Sequence, residues 1–135
     1  MARKAMPAWL RQVNVAIEKK ETMGLIQGRK PQSINEWYVA EALNAMHLNY
    51  QYQVSIAGGR SRRGGQVIDF VVWRSTGPIA IYVQGSYWHG TSRETEDAIK
   101  EAAAKRIYGA VATLSEIETS NRDRAKRTVR QKVGL

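Results

Sequence analysis

Residues 66–90 read QVIDFVVWRSTGPIAIYVQGSYWHG, and this stretch decides the fold. Residues 67–73 are β-branched or aromatic except for Asp69, and residues 79–83 form a second apolar run. The Thr-Gly-Pro sequence at positions 76–78 predicts a turn between two buried strands. A carboxylate within a buried strand is costly unless it is paired or bound to a cation. Asp69 is therefore the first candidate functional residue.

The alternation of side chains along the two predicted strands brings a second polar residue, Gln84, toward Asp69. Because a short connection favours pairing of neighbouring strands, the two side chains are expected to meet near one end of the sheet. A carboxylate, an amide and a backbone carbonyl beside Gln84 are oxygen ligands that suit Mg²⁺ or Mn²⁺. His89 follows closely, and a neutral imidazole there can take a proton from an attacking water.

An acid on one strand followed by this polar pattern on the next resembles the PD-(D/E)XK nuclease superfamily. Asp69 matches the acid of that family, and Gln84 with Ser86 stands where it has an acidic or Gln residue two positions before a Lys. The segment YVQGSYWHG at positions 82–90 is most similar to the very-short-patch repair endonucleases, whose Gly-x-Phe/Tyr-Trp-His stretch ends in a catalytic His matched by His89. The likeness covers residues 33–114.

The resemblance implies a restriction-endonuclease-like fold and a Mg²⁺- or Mn²⁺-dependent DNA endonuclease. Asp69, Gln84 and Glu36 are the implied metal ligands, and with His89 they form the implied catalytic set. Glu36 also has a structural interpretation. It stands three residues after Ser33, where it would complete a capping box at the start of a helix.

Two departures from the family pattern limit what is carried over. Ser86 replaces the usual catalytic Lys, which leaves open a catalytically weak or inactive nucleic-acid-binding module of the same fold. The chain has no Cys, so the structural zinc site of the mismatch-repair members cannot be built from thiolates. The fold and the nuclease chemistry are therefore carried over from the resemblance, but the specific T:G mismatch substrate is not.

The composition favours a polyanionic partner. The formal net charge is +9 with a sequence pI near 10.1, and Lys and Arg side chains bind nucleic acid by releasing condensed counterions. The basic residues cluster in a Gly-rich loop and in the C-terminal segment. The predicted nucleic-acid contacts are Arg60, Arg62, Arg63, Ser86, Lys126, Arg127 and Arg130.

The chain is expected to form one domain of 135 residues. Residues 1–30 are interpreted as a basic N-terminal helix and linker, 33–114 as the core and 117–135 as a basic C-terminal helix. The predicted order is α-α-β-β-β-α-β-α around a central mixed four-stranded sheet, with the last strand parallel to its neighbour because a helix crosses over before it.

Three residues receive a structural interpretation from sequence. Asp97 and Lys100 lie three positions apart on the helix predicted from Thr91, where they favour a solvated pair. Trp73 is expected in the core.

The expected substrate is DNA, with branched and mismatched forms as candidates. A nicking enzyme would act as a monomer, whereas a Holliday-junction resolvase would be a homodimer because a four-way junction needs two symmetric cuts. No stretch approaches the roughly 20 apolar residues that span a bilayer, so no membrane partner is expected. Lack of Cys favours a cytoplasmic setting, and the resemblance implies a bacterial, archaeal or phage-infected cell.

Overall fold

The computed structural model describes residues 23–84 and 91–134. The predicted N-terminal helix, Ser86 and His89 lie outside these residues. The described elements, in chain order, are α1 (Ile34–Ala45), β1 (Asn49–Ile56), β2 (Gln66–Arg74), β3 (Gly77–Val83), α2 (Thr91–Tyr108), β4 (Val111–Leu114), a 3₁₀ helix (Ile117–Thr119), α3 (Arg122–Val129) and a π-helical turn (Arg130–Gly134).

The four strands form one open mixed sheet in the order β1-β2-β3-β4. β2 pairs antiparallel with both β1 and β3, and β4 pairs parallel with β3 after the α2 crossover. The predicted mixed four-stranded sheet flanked by helices is confirmed. None of the helices in the described part is long and apolar enough to cross a membrane.

Local signals explain where the helices begin and end. The Ser33 hydroxyl accepts the backbone N–H of Glu36 at 3.1 Å and donates to the Glu36 carboxylate at 3.3 Å, so Ser33 is the predicted N-cap and Glu36 returns to its hydroxyl group rather than completing a full capping box. Asn121 caps α3 by accepting the N–H of Arg124 at 2.8 Å. α2 stops before Gly109, whose φ of +88° is in the left-handed region that favours glycine.

Two apolar clusters, one on each face of the sheet, form the core. On one face α1 and the C-terminal segment pack on the strands, through residues that include Leu43, Phe70, Ile81, Val129 and Val133. On the other face Ala104 of α2 packs on Ile68, Val71 and Ala80. This two-sided covering leaves the ends of the strands as the places where polar groups meet solvent.

Two sequence expectations differ from the structure. The C-terminal segment is not one continuous helix. It begins with the 3₁₀ helix, α3 starts after the Asn121 cap, and a π-helical turn follows from Arg130. Trp73 is 49% exposed rather than in the core. Its ring stacks at 6.1 Å on Tyr108, the last residue of α2, so the helix covers only part of it.

Candidate active site

A cleft of about 250 Å³ opens at the end of the sheet where β2 begins and β3 ends. Asp69 and Gln84 both line this cleft, and the β1–β2 loop contributes Arg60. The two residues named as candidate ligands therefore line the same cleft. α2 closes the other side with Asp97, Lys100 and Glu101.

Asp69 is held in place by a backbone donor from the next strand. The regular β2–β3 ladder ends at the pair Phe70–Ile81. Two residues further along β3, the backbone N–H of Val83 donates to Asp69 Oδ2 at 2.8 Å. The Asp69 carboxylate thus satisfies a backbone N–H of β3 at the point where the regular pairing of β2 with β3 ends.

An irregularity in β1 lies opposite Asp69. Gln53 has a φ of 55°, a left-handed conformation that is uncommon for a residue other than glycine. It has no partner in the ladder, although Tyr52 pairs with Phe70 and Val54 pairs with Ile68 on either side. Tyr52 and Phe70 pack in one core cluster, whereas Ile68 and Val54 belong to the other. Ile68 and Phe70 therefore pack on opposite faces of the sheet. Regular alternation along β2 would place both side chains on the same face.

Glu36 lies behind the cleft rather than along it. Its side chain is 5% exposed. One carboxylate oxygen accepts the Tyr52 hydroxyl at 2.5 Å, and the other accepts the Ser33 hydroxyl. The capping role expected from sequence is present, and Glu36 is also close enough to act electrostatically on Asp69.

Burial disfavours ionisation of both carboxyl groups, and the charge of Glu36 adds to this effect at Asp69. Burial, and secondarily the charge of Glu36, raise the pKa of Asp69 to about 7, while the Val83 N–H and Arg60 act in the opposite direction. Burial also raises the pKa of Glu36, against its hydrogen bonds from Tyr52 and Ser33. A divalent cation bound in this low-dielectric site would stabilise the ionised forms of both carboxyl groups.

Gln84 is fixed through its backbone. Its N–H donates to the carbonyl of Leu114 at 2.9 Å, which extends the parallel pairing of β3 with β4 by one link. The partly buried side chain lines the cleft beside Asp69. An amide at this position can offer an oxygen to a hard cation.

The sequence did not predict that residues of α2 line the cleft. Lys100 is exposed and Asp97 is partly buried, in line with the solvated face expected from sequence, and both also line the cleft. α2 is held there by the buried Gln66, whose amide donates to the carbonyl of Lys100 at 2.9 Å, and by Glu101, which accepts the Thr113 hydroxyl at 2.8 Å. A polar Gln66 at the start of an apolar strand was the available signal.

The predicted basic contacts separate into two places. Arg60, Arg62 and Arg63 of the same loop are all exposed, but only Arg60 lines the cleft. Lys126, Arg127 and Arg130 are exposed on α3 and the turn after it, and they do not line the cleft either. Within residues 23–84 and 91–134, the structure thus brings one predicted nucleic-acid contact next to Asp69.

The donor set of the cleft is compatible with a hard cation. No group of three or more His, Cys, Asp or Glu side chains that could hold a metal ion occurs among the described residues. The oxygen donors that line the cleft include the Asp69 carboxylate and the Gln84 amide, beside Asp97 and Glu101 of α2, and with retained waters such donors suit the incomplete protein shell typical of Mg²⁺. Ligation by Glu36 would require its hydrogen bond with Tyr52 to open.

No family model, curated protein or solved structure matches this chain. The resemblance to the nuclease superfamily therefore depends on the residues themselves. These are Asp69 and Gln84 on adjacent strands and the motif at 82–90. The structure adds that the two strand residues line a common cleft.

Proposed function

We propose that this protein is a metal-dependent DNA endonuclease with a restriction-endonuclease-like core. The observation that supports this most strongly is the placement of Asp69 and Gln84, from neighbouring strands, along one polar cleft with Arg60 at its side. The order of helix, three-stranded meander, crossover helix and parallel strand is compatible with that core.

In this proposal Asp69 and Gln84 hold Mg²⁺ or Mn²⁺, and Glu36 adds a second negative charge close by. A bound ion would supply a Lewis acid that lowers the pKa of water and neutralises charge on a phosphodiester. Asp69 takes the principal role because its anion is unstable without a cation, as its raised pKa indicates. Gln84 contributes a neutral oxygen and so adds no further repulsion.

The chain's other residues orient the substrate and handle the proton. His89 accepts a proton from the attacking water, as the sequence motif implies. Arg60, Arg62 and Arg63 approach the phosphate backbone through a Gly-rich loop, together with Ser86 after β3. The net charge of +9 supplies the sequence-independent attraction to DNA, and Lys126, Arg127 and Arg130 extend it over a second surface.

One observation favours a second candidate function. Ser86 stands where the superfamily has its catalytic Lys. A protein that kept the fold and lost this charge would bind nucleic acid without cutting it. Both candidates predict DNA binding, and only the endonuclease predicts metal-dependent cleavage.

The test is a cleavage assay on several DNA shapes: supercoiled plasmid, linear duplex, a mismatched duplex and a four-way junction. Each is incubated with Mg²⁺, Mn²⁺ or EDTA. We expect cleavage of at least one substrate with metal and none in EDTA. Binding without cleavage under every condition would support the inactive module instead. The molecular mass in solution then separates a monomeric nicking enzyme from a dimeric junction resolvase.

The variant for this assay is Asp69→Asn, and its matched control is Asp123→Asn in the exposed first turn of α3. Loss of a metal-binding carboxylate removes several kcal/mol of transition-state stabilisation, so Asp69→Asn should cleave about 10²–10³-fold more slowly or not at all. Its DNA affinity in EDTA should stay close to that of the wild type. Wild-type cleavage rates in Asp69→Asn would reject the site.

A further inference from the structure

We propose that Arg60 is the cationic catalytic residue of this cleft, contacting the phosphate that the site binds, and that Arg62 and Arg63 do not share this role. The inference rests on the proposed endonuclease function. It separates three arginines that the sequence groups together, and it identifies a positive charge in a site where Ser86 supplies none.

The first observation is position. Arg60 lines the cleft together with Asp69 and Gln84, and its guanidinium is near enough to attract the carboxylates of both Asp69 and Glu36. A cleft that presented acids alone would repel a phosphodiester. A guanidinium offers paired N–H donors that match phosphate oxygens, so Arg60 can offset this repulsion and bind the anion directly.

The second observation is that the loop holding Arg60 has a closed backbone. Gly59 N–H donates to the Ile56 carbonyl at 3.1 Å, and Gly65 N–H donates to the Arg62 carbonyl at 2.9 Å. The ladder pair Ile56–Gln66 fixes both ends of the loop. Arg60 is therefore presented from a constrained turn, which reduces the ordering cost of binding.

The same loop geometry explains why the other two arginines differ. The Arg62 side chain lies over Gly58, so close that a Cβ at Gly58 would be 2.5 Å from Arg62 Cδ. Arg62 thus packs on its own loop. Arg63 is exposed and outside the cleft lining. It shares the loop and the charge of Arg60 but not the position in the cleft.

Lys100 is the second cation of the cleft, and it fits the role less well. It is on α2 between Asp97 and Glu101, which also line the cleft. Its backbone carbonyl accepts the Gln66 amide, so the residue has a structural part in attaching α2 to the sheet. Arg60, in contrast, is the cation that acts on both Asp69 and Glu36.

The experiment compares Arg60→Gln, Arg60→Lys and Arg106→Gln in single-turnover cleavage with saturating enzyme, beside DNA affinity in EDTA. Arg106 is an exposed cation in the last turn of α2 and is outside the cleft lining, so its variant is the control for loss of one positive charge. Removing one preorganised donor to transition-state charge typically costs about 10²–10³-fold in rate. We expect that loss for Arg60→Gln, partial recovery in Arg60→Lys, and a rate within about threefold of wild type for Arg106→Gln. Equal rate losses in Arg60→Gln and Arg106→Gln would overturn the inference.

A second measurement is independent of cleavage. In the ¹⁵N NMR spectrum of the wild-type protein, the Nε–Hε signal of Arg60 should shift saturably with added inorganic phosphate, and the signal of Arg63 should not. A wild-type protein that cuts no DNA would refute the proposed function alone. Absence of a phosphate-dependent shift at Arg60 would refute the role given to Arg60. Thermal unfolding of each variant checks that it is folded.

Discussion

At the scale of single residues, the molecule departs from ordinary burial rules at Asp69. A carboxyl group that is mostly withdrawn from water and close to a second acid lowers the stability of the protein whenever it is charged. It receives one backbone hydrogen bond, from Val83, and the attraction of Arg60. A chain that keeps such a group in a strand tends to do so for function.

This environment predicts a pH dependence of stability. The pKa of Asp69 is raised from 3.8 to about 7 in the folded protein, so between those values the folded state holds the proton more tightly than the unfolded chain. The stabilisation is fully present below the unfolded pKa and is lost as pH rises through the folded one. One pKa unit corresponds to about 1.4 kcal/mol, so the loss is on the order of 2–4 kcal/mol.

Urea unfolding from pH 4.5 to 8 in EDTA measures this effect. We expect the free energy of unfolding of the wild type to fall with rising pH more steeply than that of Asp69→Asn, which has no proton to lose at this position. Parallel curves for the two proteins would show that Asp69 titrates as an ordinary surface acid.

The sequence predicts some site residues and not others for a physical reason. Asp69 and Gln84 could be found because a strand pattern is local, and a polar residue within it is visible in the sequence. The cleft positions of Asp97 and Lys100 depend on how α2 docks against β2 and β4, which is a tertiary contact. Arg60 lies in the cleft, apart from Arg62 and Arg63, because of the hydrogen bonds within the loop backbone. The loop sequence AGGRSRRGG does not predict those hydrogen bonds.

At the scale of elements, local signals determined most of the architecture. The Ser33 N-cap starts α1, the Asn121 cap starts α3, and α2 ends before Gly109. Features imposed by packing were not predicted. The left-handed Gln53 within β1 lies between Tyr52 and Val54, which pack in different core clusters and so depend on distant parts of the chain.

The β1–β2 loop supplies a prediction at this scale. A Cβ on Gly65 would lie 2.1 Å from the Gly59 carbonyl oxygen and 2.6 Å from that of Ala57, so Gly65→Ala must open the loop. Overpacking of this kind costs about 1–3 kcal/mol. Because the opened loop would displace Arg60, we expect the single-turnover cleavage rate to fall more than the DNA affinity does.

Gly64→Ala is the matched control for this variant. Gly64 has a φ of +77°, and a Cβ there would meet nothing within 4 Å. Alanine at this position should cost about 1–2 kcal/mol through its backbone conformation and leave the loop shape unchanged. Thermal unfolding and cleavage are measured on both variants. A cleavage loss in Gly64→Ala as large as in Gly65→Ala would contradict a specific role for the closed loop.

At the scale of the whole molecule, the sheet separates two basic surfaces. Arg60 belongs to the cleft at the end of β2 and β3, and the exposed cations of α3 lie on the helical layer that packs on the other face with α1. The mixed sheet itself was predictable, because a crossover helix before the last strand requires parallel pairing. The sequence did not predict which basic residues lie at the cleft, because charge alone does not specify on which side of the sheet a residue lies.

The central claim is that Asp69 and Gln84 together bind a divalent cation, and a crystal grown with Mn²⁺ tests it most directly. Anomalous scattering locates the ion without reference to activity. We expect a peak in direct coordination contact with the Asp69 carboxylate and the Gln84 amide oxygen, absent from crystals of Asp69→Asn. A wild-type crystal in saturating Mn²⁺ that shows no ion at these two side chains would contradict the account.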